Sequence, residues 1–269
     1  MTTAPDPVRA ASFRSRFRAR QKLVGTFIKT PSIHATEILG GLGFDFVVID
    51  EEHAPFNRET TDQILLAARA ARIAGIVRVA DISQALSVLD CGAEGILIPH
   101  VDSAERARKA VAACRYRGGS RGFSNSSRAG GYGALGIAAH VTENDERVTV
   151  IAMIEDPSAI EVIDEILAVE GLDGIFIGRG DLTVAYGETT MSCEATTAAT
   201  AKVLAAARRA GKPAAIMTAG AEESAGHMRN GASCFITASD QGFLRQAASA
   251  VLAAYGALPA ALEPETSNV

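Results

Sequence analysis

The chain has no run of the roughly 18 apolar residues that a membrane-spanning helix requires, so no membrane association is expected over its 269 residues. Basic excess is missing too. The 31 acidic residues outnumber the 26 basic ones for a formal charge of −5, and nucleic-acid binders usually carry a basic patch or stripe. Cys91, Cys114, Cys193 and Cys234 form no C-x-x-C pair. Reduced thiols in a cytoplasmic protein are therefore expected rather than disulfides or zinc. No two histidines stand three or four apart, so no helical metal signature exists. After the first apolar run the sequence reads Lys29-Thr30-Pro31-Ser32, which is not a glycine-rich phosphate loop and disfavours a doubly wound fold.

What the chain does have is a 48% hydrophobic composition and a repeated pattern. Eight β-branched apolar runs recur: 23–28, 44–50, 75–80, 95–100, 149–155, 173–178, 213–218 and 234–239. Helix-like stretches follow them at 32–41, 58–73, 83–91, 103–115, 157–168, 195–210, 220–230 and 241–254, with Thr60 and Ser103 as start signals. Strands buried on both faces read as continuous apolar runs, and strict alternation implies a parallel sheet. Eight units in this length fit a (β/α)8 TIM barrel. The domain is expected to span 1–256, with 257–269 a flexible tail. The acid-free stretch Arg9, Arg14, Arg16, Arg18, Arg20, Lys22 has two readings. It is either a transit peptide or a short helix with Phe13 and Phe17, and Ala10 near them, on one apolar edge. No apolar core of a secretory signal follows it. The segment 116–148 is glycine- and serine-rich, then helix-like.

Active sites of such barrels lie at the C-terminal ends of the strands. There the runs end in Asp50-Glu51-Glu52-His53, His100, Glu155-Asp156 and Arg179-Gly180-Asp181, and Arg78 interrupts an apolar run. Each alone is compatible with an ordinary rim charge; the convergence is what points to a site. Glu155 and Asp181 suit Mg2+ or Mn2+, which take oxygen ligands and retain water. A structural ion pair with Arg78 or Arg179 is the alternative. Arg78 requires a partner if buried: a substrate carboxylate or enolate oxygen, or a salt bridge to Asp50 or Glu52.

V-I-D-E-E-H (48–53), A-E-G-I-L-I-P-H-V (93–101), R-Y-R-G-G-S-R-G (115–122), M-I-E (153–155) and G-L-D-G-I-F-I-G-R-G-D-L-T (171–183) together resemble the HpcH/HpaI aldolase family, in order from about Phe13 to Leu252. These are class II pyruvate aldolases of the phosphoenolpyruvate/pyruvate barrel superfamily, related to the citrate lyase β-subunit group. The resemblance implies that Glu155 and Asp181 bind a divalent cation (Mg2+, Mn2+ or Co2+) and that Arg78 contacts the keto oxygen of pyruvate. It makes His53 the catalytic histidine and Asp90 its partner, with Asp50 and Glu52 supporting them. Gly178, Arg179, Gly180 and Asp181 match the turn that holds the pyruvate carboxylate. Arg121 and Arg128 are expected at substrate or subunit contacts. The family also implies a homo-oligomer, a trimer or hexamer with the last helix exchanged between neighbours; the apolar 241–256 segment permits this.

Three departures stand out. Glu51 replaces a common glycine, Met153 a frequent glutamine, and Gly178-Arg179-Gly180-Asp181 the more usual Gly-Pro-Ala/Asn-Asp. The Arg-Gly-Asp tripeptide inside that turn is a coincidence with cell-adhesion motifs.

The implied chemistry is reversible aldol cleavage of a 2-oxo acid into pyruvate, or a related donor such as hydroxypyruvate, and an aldehyde. The cation acts as Lewis acid, Arg78 stabilises the enolate and His53 is the base, directly or through water. No lysine ends a run where a Schiff base would form; Lys29 is nearest and reads as a rim residue. Two rivals keep the fold: a citryl- or malyl-coenzyme A lyase, which would need a basic groove, and a catalytically silent barrel that binds an oxo acid or an assembly partner.

Overall fold

The computed structural model describes residues 11–258. Expectations about Arg9, Ala10 and residues 259–269 of the tail fall outside them; Ala257 and Leu258 close the last helix as its cap and a following turn. Eight parallel strands close into a barrel in chain order. They are β1 Leu23–Ile28, β2 Phe46–Asp50, β3 Ala74–Arg78, β4 Gly95–Ile98, β5 Thr149–Ile154, β6 Gly174–Ile177, β7 Ala214–Thr218 and β8 Cys234–Ser239. All eight expected runs are strands. Several ladders stop one or two residues early, which leaves His100, Glu155 and Gly178 just beyond them.

The barrel is packed in two layers, and strand periodicity decides which residue joins which. One set of alternate positions, including Val47, Ile49, Val77, Ile96, Ile98 and Ile175, packs outward on the helices. The other set, including Leu23, Phe27, Phe46, Ile76, Leu97 and Phe176, fills the barrel interior. Following the inward set upward gives Phe46, Val48, Asp50 on β2 and Ala74, Ile76, Arg78 on β3. On β5 it gives Ile151, Met153 and, just past the strand, Glu155. The same parity that builds the apolar core therefore aims Asp50, Arg78 and Glu155 at the barrel mouth.

The barrel floor is closed by helix α1, Phe13–Arg18, capped by Ser12. Phe13 and Phe17 are buried in the interior cluster, and the Phe13 ring lies 5.2 Å from that of Phe46. A Cβ on Gly174 would come within 2.6 Å of the Phe17 ring, so β6 must begin with glycine for the plug to seat. The helix reading of the basic start thus holds over the described residues.

The barrel helices are α2 Ile33–Leu42, α3 Arg58–Ala70, α4 Ala85–Asp90 and α5 Ala104–Cys114, then α6 Ile137–Arg147 in the long excursion before β5. After β5 come α7 Pro157–Glu161 and α8 Ile163–Leu167, where one helix is expected; after β6, α9 Arg179–Ala185 and α10 Glu194–Arg209; then α11 Ala221–Arg229 and α12 Asp240–Gly256. Ser103 caps α5 as expected. α3 is capped by Asn57, whose carboxamide accepts from the Thr60 N–H, so Thr60 lies inside the helix. Among the described residues no helix is long and apolar enough to cross a membrane.

Candidate active site

Strand register brings the first pair together. Asp50 and Arg78 are Cα partners across β2 and β3, and their side chains form a two-point ion pair: Arg78 Nε and Nη2 donate to the two Asp50 oxygens, each at 2.8 Å. Asp50 is fully buried and Arg78 nearly so. Lys29 adds a third contact, with Nζ 2.7 Å from Asp50 Oδ2, and the His53 backbone N–H donates to Oδ1 at 3.2 Å. Burial alone would raise the Asp50 pKa. The hydrogen bonds from Arg78 and Lys29 outweigh it and hold the carboxyl at about 2. The salt-bridge alternative for Arg78 is therefore realised with both carboxylates, Asp50 through Nε and Nη2 and Glu52 through Nη1. Nη1 points onward, 3.3 Å from Glu52 and 4.0 Å from the Met153 sulfur, with the guanidinium 4.9 Å from the centre of the Phe27 ring. The Met153 sulfur offers only a weak acceptor.

The second cluster is electrostatically unlike the first. Glu155 is 2% exposed and accepts the His100 backbone N–H at 2.7 Å, which requires His100 to adopt a left-handed backbone, φ 52°. The His100 ring turns to Asp156 (3.1 Å) and reaches within 3.4 Å of Glu155. Burial pushes the Glu155 pKa up to about 7; His100 pulls against this, while Asp181 and Glu52 reinforce it. Gly178 makes room: a Cβ there would lie 2.6 Å from that of Glu155. Among the described residues Asp181 makes no ion pair, and no three His, Cys, Asp or Glu side chains assemble into a ready-made metal cluster. Two converging carboxylates still fit Mg2+ or Mn2+. Such ions are commonly held by one or two carboxylates, with water and substrate oxygens completing the shell. A buried carboxylate short of positive charge is what a cation would neutralise.

The turn after β6 begins α9, an element without a sequence signal: it is short and its Gly178 cap makes no side-chain hydrogen bond. The first N–H groups of a helix have no partner within it, so those of Arg179, Gly180 and Asp181 are free to face a ligand. The Arg179 side chain is engaged elsewhere. Nη1 pairs with Glu223 at 2.7 Å and Nη2 donates to the Met217 carbonyl at 2.6 Å, tying the β6 turn to the end of β7 and to α11. Neither bond was legible in the chain, because the partners lie 44 and 38 residues away.

Other expected residues separate. The exposed His53 ring stands 3.6 Å from Glu52. Asp90 is not brought to it within the chain; its carboxylate lies 3.7 Å from Arg121. Arg121 is buried against the Tyr116 ring, 4.3 Å from its centre, and Arg128 binds Asp62 at 2.7 Å. Neither arginine lines the cavity of about 710 Å³ that opens beside Arg78, Gly178 and Asp181. Glu51 accepts from the Thr61 hydroxyl and faces α3 rather than the site. Lys29 does sit on the rim just past β1, as read; its pairing with Asp50 is what sequence reasoning did not anticipate.

Comparison with known proteins identifies the family. The model of the HpcH/HpaI aldolase/citrate lyase family matches residues 23–247. A 5-keto-4-deoxy-D-glucarate aldolase from Salmonella paratyphi A is 33% identical over 237 residues, covering 87% of this chain and 92% of that protein. Among solved structures, an HpcH/HpaI aldolase from Desulfitobacterium hafniense superposes with a TM-score of 0.87 at 27% identity, covering 94% of this chain and 100% of that one. The citrate synthase SbnG superposes at 0.83 with 31% identity, covering 91% and 97%. The chain belongs to the HpcH/HpaI aldolase/citrate lyase family, and the curated relatives it matches are named aldolases.

Proposed function

We propose that this chain, as a member of that family, is a class II aldolase that reversibly joins pyruvate, or a related 2-oxo acid such as hydroxypyruvate, to an aldehyde. The observation that carries the reading is the buried Glu155, accepting the His100 N–H and pressed by the charges of Asp181 and Glu52, in the same mouth as an arginine held by Asp50 at one edge and facing Glu52 at the other.

A divalent cation (Mg2+, Mn2+ or Co2+) held by Glu155 and Asp181 would supply Lewis-acid polarisation of the 2-oxo group. The chain's own groups do the rest. The N–H groups at the start of α9 receive the substrate carboxylate, an anion at a helix N-terminus. Arg78, clamped through Nε and Nη2, directs Nη1 to the keto oxygen and stabilises the negative charge that grows there. In cleavage, His53 removes the C4 hydroxyl proton as the C3–C4 bond breaks. The bond's electron pair stays with the 2-oxo acid as its enolate, the aldehyde leaves, and a proton returned to C3 completes pyruvate. Within the chain Glu52, not Asp90, is the carboxylate beside His53.

The protein is also proposed to be a cytoplasmic homo-oligomer, a trimer or hexamer. In support, α12 buries none of its residues and leaves Leu244, Val251, Leu252 and Tyr255 exposed.

The test is exchange of the pyruvate C3 protons in D2O, followed by NMR with Mg2+ or Mn2+ and again with EDTA. Exchange that needs the metal supports enolate formation at this site. No exchange from pyruvate or hydroxypyruvate under either condition contradicts it and favours a thioester lyase or a silent barrel.

A further inference from the structure

Asp181 is exposed, and among the described residues its carboxylate makes no ion pair. Its place is therefore set by the backbone of the β6 turn. That backbone has little stiffness of its own. Glycines flank Arg179, a Cβ on Gly180 would meet nothing within 4 Å, and α9 is seven residues long. Helices this short are marginal without outside contacts. The far end of α9 is held, since Leu182 and Thr183 are buried and the Thr183 hydroxyl meets that of Thr196 on α10 at 3.0 Å. The near end, where Asp181 lies, is held through the Arg179 side chain.

Arg179 reaches two separate points on the connection from β7 to α11. Nη1 donates to Glu223 at 2.7 Å and Nη2 to the Met217 carbonyl at 2.6 Å, and only 11% of the side chain is exposed. Glu223 is itself seated. Its second oxygen accepts the Ala219 N–H at 2.6 Å. The Ser224 hydroxyl beside it meets that of Thr218 at 2.7 Å and donates to the Gly220 carbonyl at 2.9 Å. Both Glu223 oxygens are thus occupied, which is the geometry of a brace rather than of a base or a metal ligand. Its bond to Arg179 is charge-assisted, the stronger kind.

We propose that Glu223 is a positioning residue: through Arg179 it sets the β6 turn, and with it Asp181, at the place where the cation and the 2-oxo acid bind. This assignment rests on the aldolase reading above. Removing Glu223 leaves the Arg179 guanidinium only the Met217 carbonyl, and the turn between the two glycines loosens. Cation and donor then bind more weakly, although neither touches Glu223.

The experiment reads Mn2+ affinity by electron paramagnetic resonance, and KM and kcat for Mn2+-dependent pyruvate C3 exchange by NMR. The samples are wild type, Glu223→Ala, Arg179→Ala and the double variant. Glu223→Ala is expected to weaken Mn2+ binding and to raise the pyruvate KM by about tenfold, the scale of losing a group that orients a metal ligand, with kcat falling less than KM rises. Because Glu223 acts through Arg179, the double variant is expected to match Arg179→Ala rather than to multiply two losses. Glu223→Gln keeps the shape without the charge and is expected to fall between wild type and Glu223→Ala. Wild-type Mn2+ affinity and KM in Glu223→Ala, or in Glu223→Gln where the alanine variant does not fold, overturn the proposal. A double variant worse than Arg179→Ala also overturns it. Unaffected variants of a wild type that binds Mn2+ and exchanges sink the positioning role alone, whereas absence of both from the wild type sinks the aldolase reading and this assignment with it.

Discussion

The two ends of the barrel each bury a carboxylate, and the two are treated in opposite ways. At the floor, Asp173 precedes β6 and is saturated. Arg14 donates to it at 2.8 Å, Arg115 at 3.3 Å and the Val150 backbone N–H at 2.9 Å, and Arg18 stands 3.8 Å away. At the mouth, Glu155 has one backbone donor, a histidine, and two further carboxylates pressing on it. A buried charge that is fully paired holds structure together. One left short of positive charge costs stability and persists where something else is meant to complete it. Asp50 lies between these extremes, paired by Arg78 and Lys29 yet set inside the site.

That contrast breaks cleanly by mutation. The largest effect is expected from Glu155→Gln: metal-stimulated turnover should fall on the order of 10³-fold, the scale of losing one preorganised electrostatic group. The same variant should be at least as stable as wild type in chelator at pH 8. In wild type the folded Glu155 pKa is raised from 4.5 to about 7, so this carboxyl costs stability progressively above pH 4.5 and in full above about pH 7. A stability loss in urea melts would count against the comparison. Phe17→Ala, at the floor, should cost about 3–5 kcal/mol of stability, as for other buried aromatic truncations, with kcat of the folded fraction little changed. Asp173→Asn should cost about 3 kcal/mol by leaving Arg14 and Arg115 under-paired, again sparing kcat; a kcat loss as large as that of Glu155→Gln would erase the distinction between the ends. The smallest effect is the pH dependence from Asp50. Its folded pKa of about 2 lies below the usual 3.8, so its contribution is present above about pH 4 and lost as pH falls through 2. Stability measured at pH 5 and pH 2 should show a drop about 2 kcal/mol larger in wild type than in Asp50→Asn.

Much of this was legible in the chain. Continuous β-branched runs marked all eight strands, because strands covered on both faces are apolar throughout. For the same reason they concealed which alternate residues point inward, and so which rim charges converge. The four-residue spacing of Phe13 and Phe17 announced a short helix with an apolar edge, but not that it would plug the barrel floor under Gly174. Glu155, Asp181 and Arg78 were reachable by asking what ends each run. The Asp50–Arg78 pair stayed open because it depends on strand register, and Lys29 was discounted because its partner lies on another strand. Arg179 read as part of the carboxylate-binding turn; its engagement with Glu223 and the Met217 carbonyl follows from how two distant turns pack. The short helix after β6 carried no capping signal at all.

The most direct test of the central claim is Mn2+ binding followed by electron paramagnetic resonance, in wild type, Glu155→Gln and Asp173→Asn. The account predicts one Mn2+ per chain in wild type and Asp173→Asn, and loss of that site in Glu155→Gln. Undiminished Mn2+ binding by Glu155→Gln would contradict it.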